Sequence, residues 1–210
     1  MGISQTQMKR AVAQICQADP KFIPIVEASP LCPIGRTETQ RTHFESLVES
    51  VISQQLAIRA ADTIHARLVD LAGGKITAAR IAKLNEADLR TAGLSGAKAK
   101  TIQGLSSAAL KKEVEINKLH LLDDAMVSEQ LNSLWGIGPW TVDMFMMFQL
   151  GRLDTWPTGD LGVRRGWEKI HKLKEQIEPK KLESRGEKFR PHRSVVAWYC
   201  WRAVEDKGTI

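Results

Sequence analysis

Apolar residues along this chain recur every three to four positions and almost never every second one. Phe44, Leu47, Val48, Val51 and Ile52 fall at i, i+3, i+4, i+7 and i+8, which puts them on one face of an α-helix. Ile58, Ala61, Ile64, Leu68 and Leu71 mark a second helix, ended by Gly73-Gly74. Asp19-Pro20 and Glu178-Pro179 place proline at a first helical position, where its missing N–H costs no hydrogen bond. Thr77 and Asn85 suit the N-caps of two short helices, because their side-chain oxygens can accept from orphaned backbone N–H groups. The pattern predicts an all-α fold of roughly ten or eleven helices without a sheet.

The stretch from Ser29 to Arg36, with Pro30, Pro33 and Gly35, reads as a linker between an N-terminal helical pair and the main body. The expected organisation is N-terminal helices over 1–36, a helical lobe over 37–130, and a hairpin-bearing lobe over 131–210. A chain of 210 residues can bury a real core as one domain or as two closely packed lobes. It has no run of about 18 apolar residues, so no membrane partner is expected. Met1 to Lys9 lacks a basic-then-apolar secretory pattern, and the expected address is intracellular. Cys16, Cys32 and Cys200 are scattered, without the spacing of a disulfide framework, a zinc site or an iron–sulfur cluster.

The net charge of +6 is concentrated rather than spread. Between Arg164 and Arg193 there are 11 Lys/Arg and 5 Asp/Glu, a local excess of 6 that equals the total. A basic surface suits a polyanion, since neutralised phosphates release counterions. Charge alone fits a solvated basic face equally well.

The most informative stretch is LNSLWGIGPW, from Leu131 to Trp140. Leu131 and Leu134 end one helix, Gly136 and Gly138 flank Ile137 in a tight turn, and Pro139 opens the next helix. Two glycines permit a turn too sharp for most side chains and expose backbone N–H groups at a helix N-terminus, where phosphate binds well. Ile137 would anchor the turn by packing inward. Such contacts read a nucleic-acid backbone and ignore base identity.

LNSLWGIGPWTVDMF, followed by LDTWPTGDLGVRRGW, resembles the helix-hairpin-helix and downstream loop of the base-excision DNA glycosylases, the HhH-GPD superfamily. Within it the chain is most similar to the 3-methyladenine DNA glycosylase II branch, in its compact all-α form. VISQQLAIRAADTIHARL and GLSGAKAKTIQGL also look like segments of this branch. The resemblance implies two packed helical lobes making a single HhH-GPD domain, with an active-site cleft between them. It also implies a monofunctional enzyme that hydrolyses the N-glycosidic bond of 3-methyladenine or 7-methylguanine in duplex DNA.

By resemblance, the catalytic carboxylate is Asp160, 22 residues after Gly138. An oxocarbenium-like sugar needs a nearby negative charge, and a carboxylate can also orient or deprotonate the attacking water. Asp160 equally suits the N-cap of the helix starting at Leu161, and both roles can hold together. Trp140 stands where lyase members carry a nucleophilic lysine, so water is the expected nucleophile. Trp140 and Trp201 line the implied base pocket, with Met144 in a position that is tyrosine in a bacterial relative and Trp156 nearby in sequence. His192 replaces a tryptophan of that relative, which thins the aromatic walls. N-alkylated purines are cationic, and aromatic faces attract them.

Leu56 matches the family's intercalating leucine, with Gln54 and Gln55 beside it to contact neighbouring bases. Gly136, Gly138 and Thr141 of the hairpin, together with Lys98, Lys100, Arg164 and Arg193, are the candidate phosphate contacts. Backbone carbonyls of Asn132, Leu134 and Ile137 are the implied ligands of a monovalent cation, and no other cofactor is expected. The expected partner is duplex DNA with alkylated bases or abasic sites, bound by a monomer. The alternative is a catalytically weak homologue of the same fold that recognises abasic or distorted DNA.

Overall fold

The computed structural model describes residues 2–36 and 40–205; Met1, 37–39 and 206–210, which include ends of the three expected segments, lie outside the described residues. Among the described residues there are twelve α-helices, three short 3₁₀ turns and no strand. The helices are α1 (Gln5–Ala18), α2 (Ile23–Glu27), α3 (His43–Ser53), α4 (Ile58–Leu71), α5 (Ala78–Ile81) and α6 (Glu86–Thr91). They continue as α7 (Gly96–Leu110), α8 (Asp124–Asn132), α9 (Pro139–Phe148), α10 (Leu161–His171), α11 (Pro179–Gly186) and α12 (Arg193–Val204). The expected caps are present: Thr77 accepts from the Arg80 N–H, and Asn85 forms a reciprocal capping box with Asp88. None of the described helices is long and apolar enough to cross a membrane.

The chain forms two compact units, Met1–Glu38 with Met146–Ile210, and Thr39–Phe145. The dividing point thus lies inside α9, whereas the sequence pattern placed it at residue 131. The hairpin belongs with the Thr39–Phe145 unit because Gln54 and Thr101 pack around it, as detailed below.

In the Thr39–Phe145 unit, α3 buries the face read from its periodicity: Phe44, Leu47, Val48, Val51 and Ile52 are all in the core. Ile102 and Leu105 of α7 and Leu131 of α8 are buried as well. The stripe on α4 is only partly inward. Ala61 and Leu68 are buried, but Ile58 at its first turn is 79% exposed and Leu71 lies at the surface. Gly73 and Gly74 follow with φ of +71° and +93°, the left-handed conformations that end the helix.

In the other unit, α12 is buried around most of its circumference, from Arg193 to Ala197 and at Tyr199, Cys200 and Ala203. α10 packs directly on it. A Cβ on Gly166 would lie 1.9 Å from the Cys200 carbonyl oxygen, so only glycine allows this backbone approach. The loop leading to α10 is pinned to the start of α12. Ser194 Oγ donates to the Arg152 carbonyl at 2.8 Å and accepts from the Thr155 N–H at 2.9 Å. These clamps fix the chain that delivers Asp160.

Asp19 is the buried acid of this unit. It caps the 3₁₀ turn Pro20–Phe22, and its Oδ2 lies 2.9 Å from both His171 Nε2 and Lys188 Nζ. Burial alone pushes its carboxyl up, but the bonds from His171, Lys188 and the Lys21 N–H outweigh it and hold the pKa at about 2, against 3.8. A depressed carboxylate stabilises the fold above its unfolded pKa, and that contribution is lost as pH falls through the folded value. Asp19→Asn should therefore lower the unfolding free energy at neutral pH by about 2 kcal/mol. In urea titrations its difference from wild type should shrink as pH drops from about 4 to about 2.

Candidate active site and DNA-contacting surface

Around the hairpin, α8 ends at Asn132 and the turn closes with the Ile137 N–H donating to the Leu134 carbonyl at 3.1 Å. Ile137 is buried, anchoring the turn. Gly136 has φ +80°, and a Cβ there would sit 2.0 Å from Thr101 Oγ1. Conformation and space both demand glycine. The Gly138 carbonyl accepts from the Thr141 and Val142 N–H groups, which starts α9.

Gln54 follows the last residue of α3 and braces this hairpin. Its Nε2 donates to the Gly136 carbonyl at 3.1 Å and to Thr141 Oγ1 at 2.9 Å. Its own carbonyl, with that of Ile52, accepts from Lys98 Nζ at 2.8 and 2.7 Å. Burial lowers the Lys98 pKa. Gln55 adopts φ +55°, a left-handed conformation unusual for a residue with a side chain. Leu56 is 39% exposed at the tip of this turn. An apolar side chain held outward on a braced turn is what a wedge between base pairs requires.

Two expected phosphate contacts in this unit have other occupations. The Thr141 side chain is buried, and its hydroxyl accepts from Gln54, so it braces the hairpin instead of facing solvent. Lys98 caps the C-terminal carbonyls of α3, which makes it the strut of the Gln54–Leu56 turn. Lys100 is exposed, with its Nζ 4.4 Å above the Trp135 ring. Trp135, 56% exposed beside Gly136, was not singled out by sequence. Trp140 and Met144 are half-buried and four residues apart on α9, which places them on one helix face.

The second cluster lies at the N-terminus of α10. Asp160 is its N-cap, and Oδ1 accepts from the Val163 N–H at 2.8 Å. The same oxygen accepts from Trp201 Nε1 at 2.8 Å. Capping and the aromatic contact therefore coexist on one carboxylate. Phe148, at the end of α9, stacks on Trp201 with ring centroids 5.7 Å apart. A Cβ on Gly162 would meet the Trp201 ring at 2.8 Å, so the indole lies flush against the first turn of α10.

Two expectations in this unit are corrected. Trp156 is a core residue: it is buried, donates its indole N–H to the Leu182 carbonyl at 3.1 Å, and packs against Trp167 and Gly186. Arg193 is buried, and its guanidinium grips Asp154 through Nε at 2.8 Å and Nη2 at 3.1 Å, with Glu187 alongside. It is a structural cation and no phosphate contact. The basic segment as a whole is also partly neutralised inside the fold, since Arg190 pairs with Asp154 and Glu187, and Lys188 with Asp19. Arg164 is half-buried on the first turn of α10, and its Nε is buried without a hydrogen bond.

Among the described residues no group of three or more His, Cys, Asp or Glu could hold a metal ion. The carbonyls of Asn132, Leu134 and Ile137 are hard oxygen donors of the type that alkali cations accept.

Residues 48–192 match the HhH-GPD superfamily of base excision DNA repair proteins. The chain is 28% identical over 171 residues to DNA-3-methyladenine glycosylase 1 of Schizosaccharomyces pombe, covering 80% of this chain and 75% of that protein. A crystal structure of DNA-3-methyladenine glycosidase from Bacillus halodurans is 31% identical, with a TM-score of 0.77 over 92% of this chain and 88% of that one. The S. pombe 3-methyladenine DNA glycosylase in complex with abasic DNA is 26% identical, with a TM-score of 0.78 over 90% of this chain and 95% of that one. With its glycine-built hairpin, its aspartate capping the helix downstream and its all-helical fold, the chain belongs to the HhH-GPD superfamily of base excision DNA repair proteins.

Proposed function

We propose that this protein is a monofunctional DNA glycosylase that removes alkylated purines from duplex DNA. The observation that carries this reading is the Asp160 carboxylate, held by the Val163 and Trp201 N–H groups at the start of α10. Two donors to one oxygen fix its direction before substrate arrives, which is how electrostatic catalysis avoids reorganisation. The relatives named above are 3-methyladenine glycosylases, and they support the choice of substrate.

In the proposed reaction Leu56 fills the gap left by the everted nucleotide, while the Gly136–Gly138 turn and Lys100 grip the phosphates. The carbonyls of Asn132, Leu134 and Ile137 would hold a monovalent cation against the same backbone, adding positive charge beside a phosphate. The alkylated purine stacks on Trp201, and its positive charge makes it a good leaving group. As the bond between C1′ and the base nitrogen breaks, its electron pair leaves with the base, and Asp160 stabilises the cationic sugar. Water adds to C1′ and its proton passes to the carboxylate. The indole of Trp140 has no amine for a Schiff base, so the strand stays intact. The protein acts as a monomer and needs no organic cofactor.

The test is incubation with methylated duplex DNA and chromatography of released bases. Release of 3-methyladenine and 7-methylguanine, with strands cleaved only after alkali, is the expected result. Binding to abasic duplex without any base release would replace this reading with that of a DNA-recognition homologue.

A further inference from the structure

The basic segment between Arg164 and Arg193 is only partly neutralised inside the fold. Several of its remaining cations converge on a surface cavity of about 590 Å³, within the unit that carries Asp160. Lys181 and Arg185 lie four residues apart on one face of α11, and Lys188 follows in the next 3₁₀ turn. Lys174 lines the same cavity from the loop after α10, and Lys21 from the turn Pro20–Phe22. Against these five cations stand two carboxylates, Asp19 and Glu175. Asp19 is shared between His171 and Lys188, and it holds the Lys188 ammonium 2.9 Å from its Oδ2. Lys21, Lys174, Lys181 and Arg185 have no carboxylate partner among the described residues. Like charges gathered in one concavity focus the field there and raise the local concentration of an anion.

We propose that this cavity is a second binding site, separate from the Asp160 cluster, for an anion carrying several closely spaced phosphates. It goes beyond the glycosylase reading and does not depend on it. Asp160 caps the first turn of α10, whereas His171, the last residue of that helix, lines the cavity. Eleven residues of helix set the two about 16 Å apart along its axis. The ligand class follows from shape and charge. The volume suits a ligand of nucleotide size, and cations from three separate segments meet in it, so the negative charge they match must be dense. Four of the five are lysines, whose compact point charges suit phosphate oxygens and lack the flat fork with which arginine grips a carboxylate. Such a row of phosphates comes either free, as in a nucleoside triphosphate, or as adjacent phosphates of a DNA strand.

The experiment is calorimetric titration at low salt with tripolyphosphate as the probe. Wild type should take up one equivalent, and Lys181→Gln/Arg185→Gln should bind about tenfold more weakly. Both side chains are exposed, so the variant should fold normally. Lys75→Gln/Lys83→Gln, which removes the same charge from the other unit, should stay within about twofold of wild type. Equal losses in the two pairs would reduce the effect to net charge and overturn the proposal, as would the absence of saturable binding. Tighter binding of hexaglutamate than of tripolyphosphate would also overturn it, in favour of an acidic peptide. A second arm measures affinity for undamaged duplex. A fall in Lys181→Gln/Arg185→Gln, with a salt slope shallower by about two, assigns the phosphates to DNA. Unchanged duplex affinity assigns them to a free phosphorylated compound. Absent base release by wild type would count against the glycosylase reading and leave tripolyphosphate binding untouched.

Discussion

Asp160→Asn is expected to slow release of 7-methylguanine from duplex DNA by about 10²- to 10³-fold in single turnover. Affinity for abasic duplex should stay within about twofold, since no phosphate contact is removed. The substitution is informative because an amide retains a carbonyl oxygen. That oxygen can still accept from the Val163 N–H and from Trp201 Nε1, so the cap of α10 and the position of the indole survive. What disappears is the negative charge. Asp160→Ala would also lose the cap, costing about 1 kcal/mol of stability, and would mix the two effects. Equal rates for wild type and Asp160→Asn would show that the carboxylate only caps the helix.

Gly136→Ala should be the most damaging single methyl in the Thr39–Phe145 unit. The new Cβ would fall 2.0 Å from Thr101 Oγ1 and 3.0 Å from Thr101 Cβ, at a residue with φ +80°. Thr101 is buried, and its hydroxyl is tied to the Ala97 carbonyl, so it cannot swing aside. Left-handed strain and overpacking together should cost about 3 kcal/mol, read as a lower urea midpoint. Abasic-duplex affinity should fall about tenfold or more, with a shallower salt dependence, because the displaced turn no longer aims its N–H groups. Thr101→Ala in the same chain should recover the steric part and leave the backbone part, a partition a double-mutant cycle measures.

The helices were legible where burial is one-sided. α3 shows its whole buried face in the sequence, because nothing but packing governs those five positions. α4 does not, since Ile58 is apolar yet exposed. Periodicity records hydrophobicity and cannot tell a core residue from one left open. The hairpin was legible because glycine and proline dictate backbone, as Gly136 and Pro139 show. Long-range polar bonds were not. Nothing in the sequence says that Gln54 braces Gly136, 82 positions away, or that Lys98 caps the chain at Gln54. Arg193 and Trp156 misled for the same reason: a charge or a ring reveals its chemistry but not its partner, and Asp154 and Leu182 claim them. Phe148 hid inside the apolar run of α9, where its exposure has no sequence signature.

The most direct measurement compares affinity for two duplexes, one carrying a cationic nitrogen-ring mimic of the oxidised sugar and one carrying a neutral abasic analogue. Wild type should bind the cationic mimic at least about tenfold more tightly, and Asp160→Asn should bind both alike, since the preference is a charge–charge interaction at the reacting carbon. No preference in wild type, or one that persists without the carboxylate, would contradict the account.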